Sequence, residues 1–345
     1  MFHLESKIKE NGIYIIAEMS ANHAGKLENA IKIVQEAARI GADCLKIQTY
    51  TADSITIKAD NDYFRIKGGL WDGYTLYDLY QEAGTPYEWH KAIKDECEKC
   101  GIDFLSTPFN KNAVDFLEDL GVEAYKIASF EIVDIPLIEY TASKGKPMII
   151  SCGMASKEEI QDAVDACRRM GNNNIVLLKC CSDYPANWKD MHIANIEEMK
   201  KEFGVEVGLS DHSMGSIASV VAIAKGAVVI EKHICLSRKI KNPDSAFSME
   251  IEEFEQLIKD CHAAKEIVGE VRFGPTKNEE KNLKFRRSLF AVKDIKKGER
   301  FTSENVRSIR PSNGIKPKYY SKLLTKKAKR DISYGTPILM EDYED

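Results

Sequence analysis

Lysine, carboxylate, hydroxyl and imidazole side chains recur in this sequence at the ends of short apolar runs. Glu18 closes one such run. Lys46 and Gln48 stand two apart in the next, so an extended strand turns both to one face while Leu45 and Ile47 take the other. Further runs end in Ser106 and Thr107, in Lys126 with Ser129 and Glu131 just beyond, and in Ser151. The last three end in Lys179 followed by Ser182 and Tyr184, in Ser210–Asp211–His212, and in Glu231–Lys232–His233. Singly, each has an ordinary explanation: a hydroxyl caps a turn, a lysine snorkels to the surface, Glu231 neutralises a buried lysine. Eight consecutive coincidences point instead to one site. An interior that carries Lys46 and Lys126, with Lys179 as a further candidate, calls for anions, because a buried ammonium is costly without one. Lysines among hydroxyls and backbone N–H groups describe a pocket for phosphate and carboxylate. His212 and His233 end adjacent runs. Either they converge on one divalent ion, with water or substrate completing its coordination, or they are two unrelated polar residues.

The runs that must position these groups are Ile13 to Glu18, Asp43 to Gln48, Asp103 to Thr107, Ala124 to Ile127, Pro147 to Ser151, Ile175 to Cys180, Val205 to Leu209 and Val228 to His233. Each is followed by helical spacing, as in Leu27 to Ile40, Lys157 to Met170 and Ile251 to Val268. Gly41, Gly101, Gly121, Gly145 and Gly204 stand where helices should end. Eight strand–helix units predict a TIM (β/α)8 barrel, in which catalytic groups gather at the C-terminal strand ends. A doubly wound sheet is disfavoured, since no G-x-G-x-x-G follows the first strand. The stretch from Thr49 to Thr85 is too long for a simple connection, and long loops at this face carry function.

The pattern changes after Arg272. Phe273 to Lys284, with Gly274 and Pro275, reads as a linker. SLFAVKDIKKGE, SIRPSNGI and GTPILM then suggest a small β-rich module. The expected domains are therefore 1–272 and 285–345, joined by 273–284. From Lys281 onward 17 basic residues face 8 acidic ones, a surplus of nine, while the whole chain carries −5. The basic segment is broken by strands and turns, which favours docking on an acidic body over binding nucleic acid. No apolar run approaches the roughly 18 residues of a membrane span, and the N-terminus lacks the charged-then-apolar pattern of a signal peptide. Nine cysteines, odd in number and scattered, fit reduced thiols in a cytoplasm. Cys97 and Cys100 form a C-x-x-C with no second pair nearby to complete a structural zinc site.

Together AEMSANHAGKLENA, GADCLKIQTY, FLSTPF, AYKIASFE, IISCGM, LLKCCSDYPA, GLSDHS and VIEKHICLSRKIKNPDSAFSME resemble the sialic acid synthase family along the whole barrel. FAVKDIKKGE and RPSNGI resemble the antifreeze-like (SAF) domain that follows it. The long loop, LWDGYTLYDLYQEAGTPYEWH, and SDYP at Ser182 to Pro185 are similar to the branch that makes pseudaminic acid. The resemblance implies condensation of phosphoenolpyruvate with a 2,4-diacetamido-2,4,6-trideoxy hexose. N-acetylneuraminate or legionaminate synthesis is the alternative inside the family. It implies that Lys46, Thr107, Lys126, Ser129, Ser151, Ser182, Tyr184 and Ser210 hold phosphoenolpyruvate. His212 and His233 would bind Mn2+, or Mg2+ or Co2+, and Glu18 would manage protons. Gln48, Glu131 and Asp244 would face the sugar, with Arg310 reaching it from the partner of a domain-swapped homodimer. Two readings lie outside the family: a class I aldolase with Lys126 or Lys179 as Schiff-base nucleophile, and a carbohydrate-binding protein, which has no need of buried lysines and paired histidines.

Overall fold

The computed structural model describes residues 2–343 and divides into two compact units, Met1–Gly269 and Glu270–Asp345. In the first, eight parallel strands follow one another round a nearly closed barrel: β1 (Tyr14–Glu18), β2 (Cys44–Thr49), β3 (Asp103–Pro108), β4 (Tyr125–Ile127), β5 (Met148–Ser151), β6 (Ile175–Cys180), β7 (Glu206–Asp211) and β8 (Val229–His233). The hydrogen-bonded order is β3-β2-β1-β8-β7-β6-β5-β4, and β3 and β4 lie in contact at its two ends. Register brings the chemistry level. Glu18 stands opposite Lys46 on one side and His233 on the other, Gln48 opposite Thr107, and Ser210 opposite Glu231.

Alternation along each strand separates two cores. Tyr14, Ile16, Cys44, Leu105, Ile149, Leu178 and Val229 fill the barrel interior with Leu4 beneath them, while Ile15, Leu45, Ile47, Ile150 and Ile230 pack outward on the helices. Helix Leu27–Arg39 shows why the helices lie where they do. Its buried Ala30, Ile33, Val34 and Ala37 form one stripe, and Gly41 follows its end at φ 94°. Gly208 on β7 has no room for a side chain: a Cβ there would strike the Val229 carbonyl and lie 2.7 Å from a Leu178 methyl.

The long second connection is a lid with structure of its own: helices Ala52–Ile55 and Leu76–Ala83, and an antiparallel bridge between Arg65 and Thr75.

The second unit is a small β-rich domain around Leu289, Ile295, Phe301, Val306, Leu323, Ile332 and Ile338. Its paired strands are β9 (Ser288–Ala291) and β10 (Val306–Ile309), with isolated bridges elsewhere. SIRPSNGI is extended only to Ile309, because Pro311 has no N–H to offer a ladder. The segment expected as an open linker contains a 3-10 helix, Glu280–Phe285. No helix among the described residues is long and apolar enough to cross a membrane.

Candidate active site

The inward-facing ends of the strands meet in one polar cluster. Lys46 Nζ lies 2.5 Å from Glu18 Oε2 and 3.5 Å from Glu231 Oε1, and Lys126 Nζ is 3.8 Å from the same Glu231 oxygen. Lys126 donates to Ser151 Oγ at 2.6 Å and to the Ile127 carbonyl at 3.0 Å; Lys46 donates to Thr107 Oγ1 at 3.4 Å. Ser210 donates to Glu231 Oε1 at 3.3 Å, and Gln48 donates to Glu18 Oε1 at 3.2 Å and Ser20 Oγ at 3.0 Å. The lysines' expected need for a foreign anion is thus partly met within the chain, since two buried ammonium groups face two buried carboxylates. The carboxylates are not equivalent. Burial, and then the neighbouring Glu231 charge, raise the Glu18 pKa against the pull of Lys46. Burial works the same way on Glu231, but Lys126, Lys46 and His212 outweigh it and hold that pKa below the ordinary value. Of the two, Glu18 is the carboxylate that takes up a proton more easily and Glu231 the one the lysines hold ionised. Glu18 Oε2 meets Lys46 as a charge contact without hydrogen-bond alignment, and Glu231 Oε2 has no hydrogen-bond partner among the described residues.

Beside this cluster, Ser129 Oγ accepts from the Gly153 N–H at 3.1 Å. A Cβ on Gly153 would collide with Ser182 Oγ and come within 2.8 Å of Ser129 Oγ. Two hydroxyls and a backbone amide converge there as they would around phosphate oxygens. Tyr184 stacks over His212 with ring centroids 4.3 Å apart.

His212 and His233 come together, their rings 5.4 Å apart. His212 Nδ1 lies 2.9 Å from the Cys181 carbonyl, which can only accept, so that nitrogen carries a proton and Nε2, once deprotonated, is the atom that can take an ion. Among the described residues His233 Nδ1 is buried without a hydrogen-bond partner. Among the described residues no group of three or more His, Cys, Asp or Glu side chains is placed to hold an ion. The two imidazoles therefore suit an open site completed by water or substrate and not a closed structural one.

Above the cluster a chamber of about 330 Å3 is bounded by barrel residues Gln48, Glu131, Tyr184, His233 and Asp244 on one side and by the lid on the other. Asp244 is buried and accepts from the Ala21 N–H at 3.2 Å. Burial raises its pKa and lifts that of Glu131 to about 7. Arg310 belongs to the second unit, where it is exposed directly after β10.

Lys179 does not join the interior. It lies on the outward phase of β6, donates to the Cys180 carbonyl at 2.7 Å, and borders a separate surface cavity with Lys157 and Glu202. The inward residue at that level is Cys180, 3.8 Å from His212 Nδ1, which with its neighbours draws the thiol down to about 7 despite burial. Lys232 and Asp211 also face outward, as a buried pair 2.9 Å apart. Sequence reasoning passed over Cys180 and Ser20. The unbroken apolar run of β6 sets no phase by which to find the first. Ser20, at φ 44°, is a non-glycine residue in the left-handed region beside the site, which no local sequence signal announces.

Fold and site together define a barrel enzyme with a charged pocket under a lid. The chain belongs to the NeuB family, whose pattern matches residues 33–273, and an SAF domain matches 286–344. It is 46% identical to the pseudaminic acid synthase of Campylobacter jejuni over 96% of this chain and 97% of that protein. It is 42% identical to the pseudaminic acid synthase of Helicobacter pylori over the same shares of the two chains. Among solved structures, the N-acetylneuraminic acid synthetase of Leptospira borgpetersenii superimposes with a TM-score of 0.70 at 31% identity, covering 79% of this chain and 90% of that one.

Proposed function

We propose that this enzyme is a pseudaminic acid synthase, a transferase that joins phosphoenolpyruvate to 2,4-diacetamido-2,4,6-trideoxy-β-L-altropyranose and releases phosphate. The observation that carries the reading is the Glu18–Lys46–Glu231–Lys126 cluster beneath a sugar-sized chamber, in a chain alike from end to end to two pseudaminic acid synthases. Lys46, Lys126 and Thr107, with the Ser129, Ser151, Ser182 and Gly153 cradle, hold the carboxylate and phosphate of phosphoenolpyruvate, and Tyr184 and Ser210 complete its walls. Gln48, Glu131 and Asp244 orient the open-chain sugar. Carbon 3 of phosphoenolpyruvate attacks the aldehyde carbon, and the aldehyde oxygen takes a proton. Water adds at carbon 2 and gives up a proton, and phosphate leaves by C–O cleavage. Glu18, whose buried carboxyl binds a proton readily, is placed to hold the proton exchanged in these steps. The lysines stabilise the charge that moves through the phosphate and carboxylate. His212 and His233 would hold a divalent ion, Mn2+ before Mg2+ or Co2+, which supplies a Lewis acid when bound. The enzyme works in the cytoplasm as a domain-swapped homodimer, with Arg310 completing the second subunit's sugar site.

The test is phosphate release with phosphoenolpyruvate and a panel of hexosamines, before and after chelation. The diacetamido-trideoxy sugar should give the highest kcat/KM, and Mn2+ should restore chelated enzyme. Borohydride reduction in the presence of pyruvate should leave Lys126 unmodified. Preference for N-acetylmannosamine would move the enzyme to another branch of the family, and a trapped lysine adduct would overturn the mechanism.

A further inference from the structure

The chamber is two-sided. Its barrel wall carries the polar groups Gln48, Glu131, His233 and Asp244 between the rings of Phe109, Phe130 and Phe247, whereas its lid wall is built from Ile55, Ile66, Trp71, Leu76, Leu79 and Tyr80. Trp71 ties the lid tip down across the mouth. Trp71 Nε1 donates to the Pro243 carbonyl at 2.9 Å, next to Asp244. The indole also packs against Tyr184 and Phe247, with ring centroids 5.6 and 6.4 Å away. The lid's Arg65–Asp60, Lys67–Asp62 and Tyr74–Glu82 contacts stay within the lid itself. Gly68, Gly69 and Gly73, all at positive φ, let the short turn project Trp71 onto the barrel.

We propose that this lid selects the sugar: its aliphatic wall receives the end of the acceptor remote from the aldehyde, and Trp71 latches that wall in place. The inference rests on the pseudaminate reading for the identity of the acceptor. An open-chain hexose that puts its aldehyde at the polar cluster turns its other end away from it, toward the lid. A methyl at carbon 6 and the methyl of a 4-acetamido group suit that wall. A hydroxymethyl or free hydroxyl there loses its water and finds no donor or acceptor on Ile66, Leu76 or Leu79. Discrimination of this kind is worth up to about 100-fold in kcat/KM. Trp71 is a positioning residue, acting through the wall it holds.

The experiment compares kcat/KM for the diacetamido-trideoxy sugar and for N-acetylmannosamine in wild-type enzyme, Ile66→Asn, Leu76→Asn and Trp71→Phe, with KM for phosphoenolpyruvate and Tm measured alongside. Trp71→Phe keeps an aromatic ring and removes the donor to Pro243. Expected is a fall of about tenfold or more in the ratio of the two kcat/KM values for the asparagine variants. A smaller fall is expected for Trp71→Phe, with KM for phosphoenolpyruvate little changed throughout. Should either asparagine variant fold poorly, Leu76→Ala replaces it and should shift the ratio in the same direction. A ratio that stays constant while both sugars weaken together overturns the inference. The wild-type preference separately decides the pseudaminate reading.

Discussion

Glu131 borders the sugar chamber with Oε2 sealed from solvent and unpartnered among the described residues, and burial lifts its pKa from 4.5 to about 7. The folded chain therefore binds this proton more tightly than the unfolded one. Its share of stability is complete below the unfolded value and is lost as pH rises through the folded value. At about 1.4 kcal/mol per unit, the loss between those limits is roughly 3 kcal/mol as an upper figure. Glu131→Gln keeps the shape and removes the titration. Denaturant midpoints for variant and wild type should agree near pH 4.5, and the variant should be more stable by about 1–3 kcal/mol at pH 8. A difference that does not grow with pH would show that the carboxyl is solvated. At this scale the sequence was informative about residue type and less so about direction. Lys46, Gln48, Lys126 and Ser151 could be placed by alternation alone. Lys179 could not, because an apolar run buried on both faces gives no polar–apolar contrast from which to set its phase. Glu231 could be read as the counter-charge of a buried lysine, but not which lysines it meets, since it reaches Lys46 and Lys126 only through the closure of the barrel.

Strands β7 and β8 show how one strand end serves two purposes. Ser210, Glu231 and His233 turn inward to the chemistry, while Asp211 and Lys232 turn outward beneath the helices. Asp211 Oδ1 accepts from the Ser213 N–H at 2.8 Å and its hydroxyl at 2.7 Å, and Oδ2 accepts from Ser219 at 2.7 Å and faces Lys232 at 2.9 Å. This carboxylate fixes the loop that leaves β7 just past His212. Asp211→Asn leaves a buried ammonium without its counter-charge, a change that costs about 3–5 kcal/mol. Thermal unfolding should show that loss, while KM for phosphoenolpyruvate in the remaining folded enzyme changes by less than about threefold, because no atom of Asp211 enters the pocket. A large KM effect with intact stability would reverse the assignment. The strands were legible to within a residue or two, since each apolar run is bounded by glycines or polar clusters. The arrangement of the lid was not legible. Trp71 and Pro243 are 172 residues apart, and nothing local to either predicts their bond. Fewer regular strands formed in the C-terminal unit than its turn-rich sequence suggested, because tight turns and Pro311 interrupt pairing.

The charge asymmetry belongs to the whole molecule. The last 65 residues hold a surplus of nine positive charges in a chain of net −5, and Arg310 lies in that segment, within the second unit. A basic module whose arginine completes an acidic barrel's site can do so within its own chain or across a dimer, and the two arrangements differ in what mixed subunits do. Arg310→Ala and Lys126→Met (the second chosen to keep side-chain bulk in the interior) should each have little activity alone. If Arg310 acts across the dimer, a hybrid has one site with both defects and one with neither. Random reassortment of equal amounts makes half the dimers hybrids, so about a quarter of the wild-type sites should return. If Arg310 acts within its own chain, every site in the hybrid keeps one defect and no activity returns. Subunit exchange confirmed by mass, followed by the phosphate-release assay, separates the two. Recovery near a quarter is the outcome expected from the domain-swapped arrangement, and silence in confirmed hybrids would assign Arg310 to its own barrel.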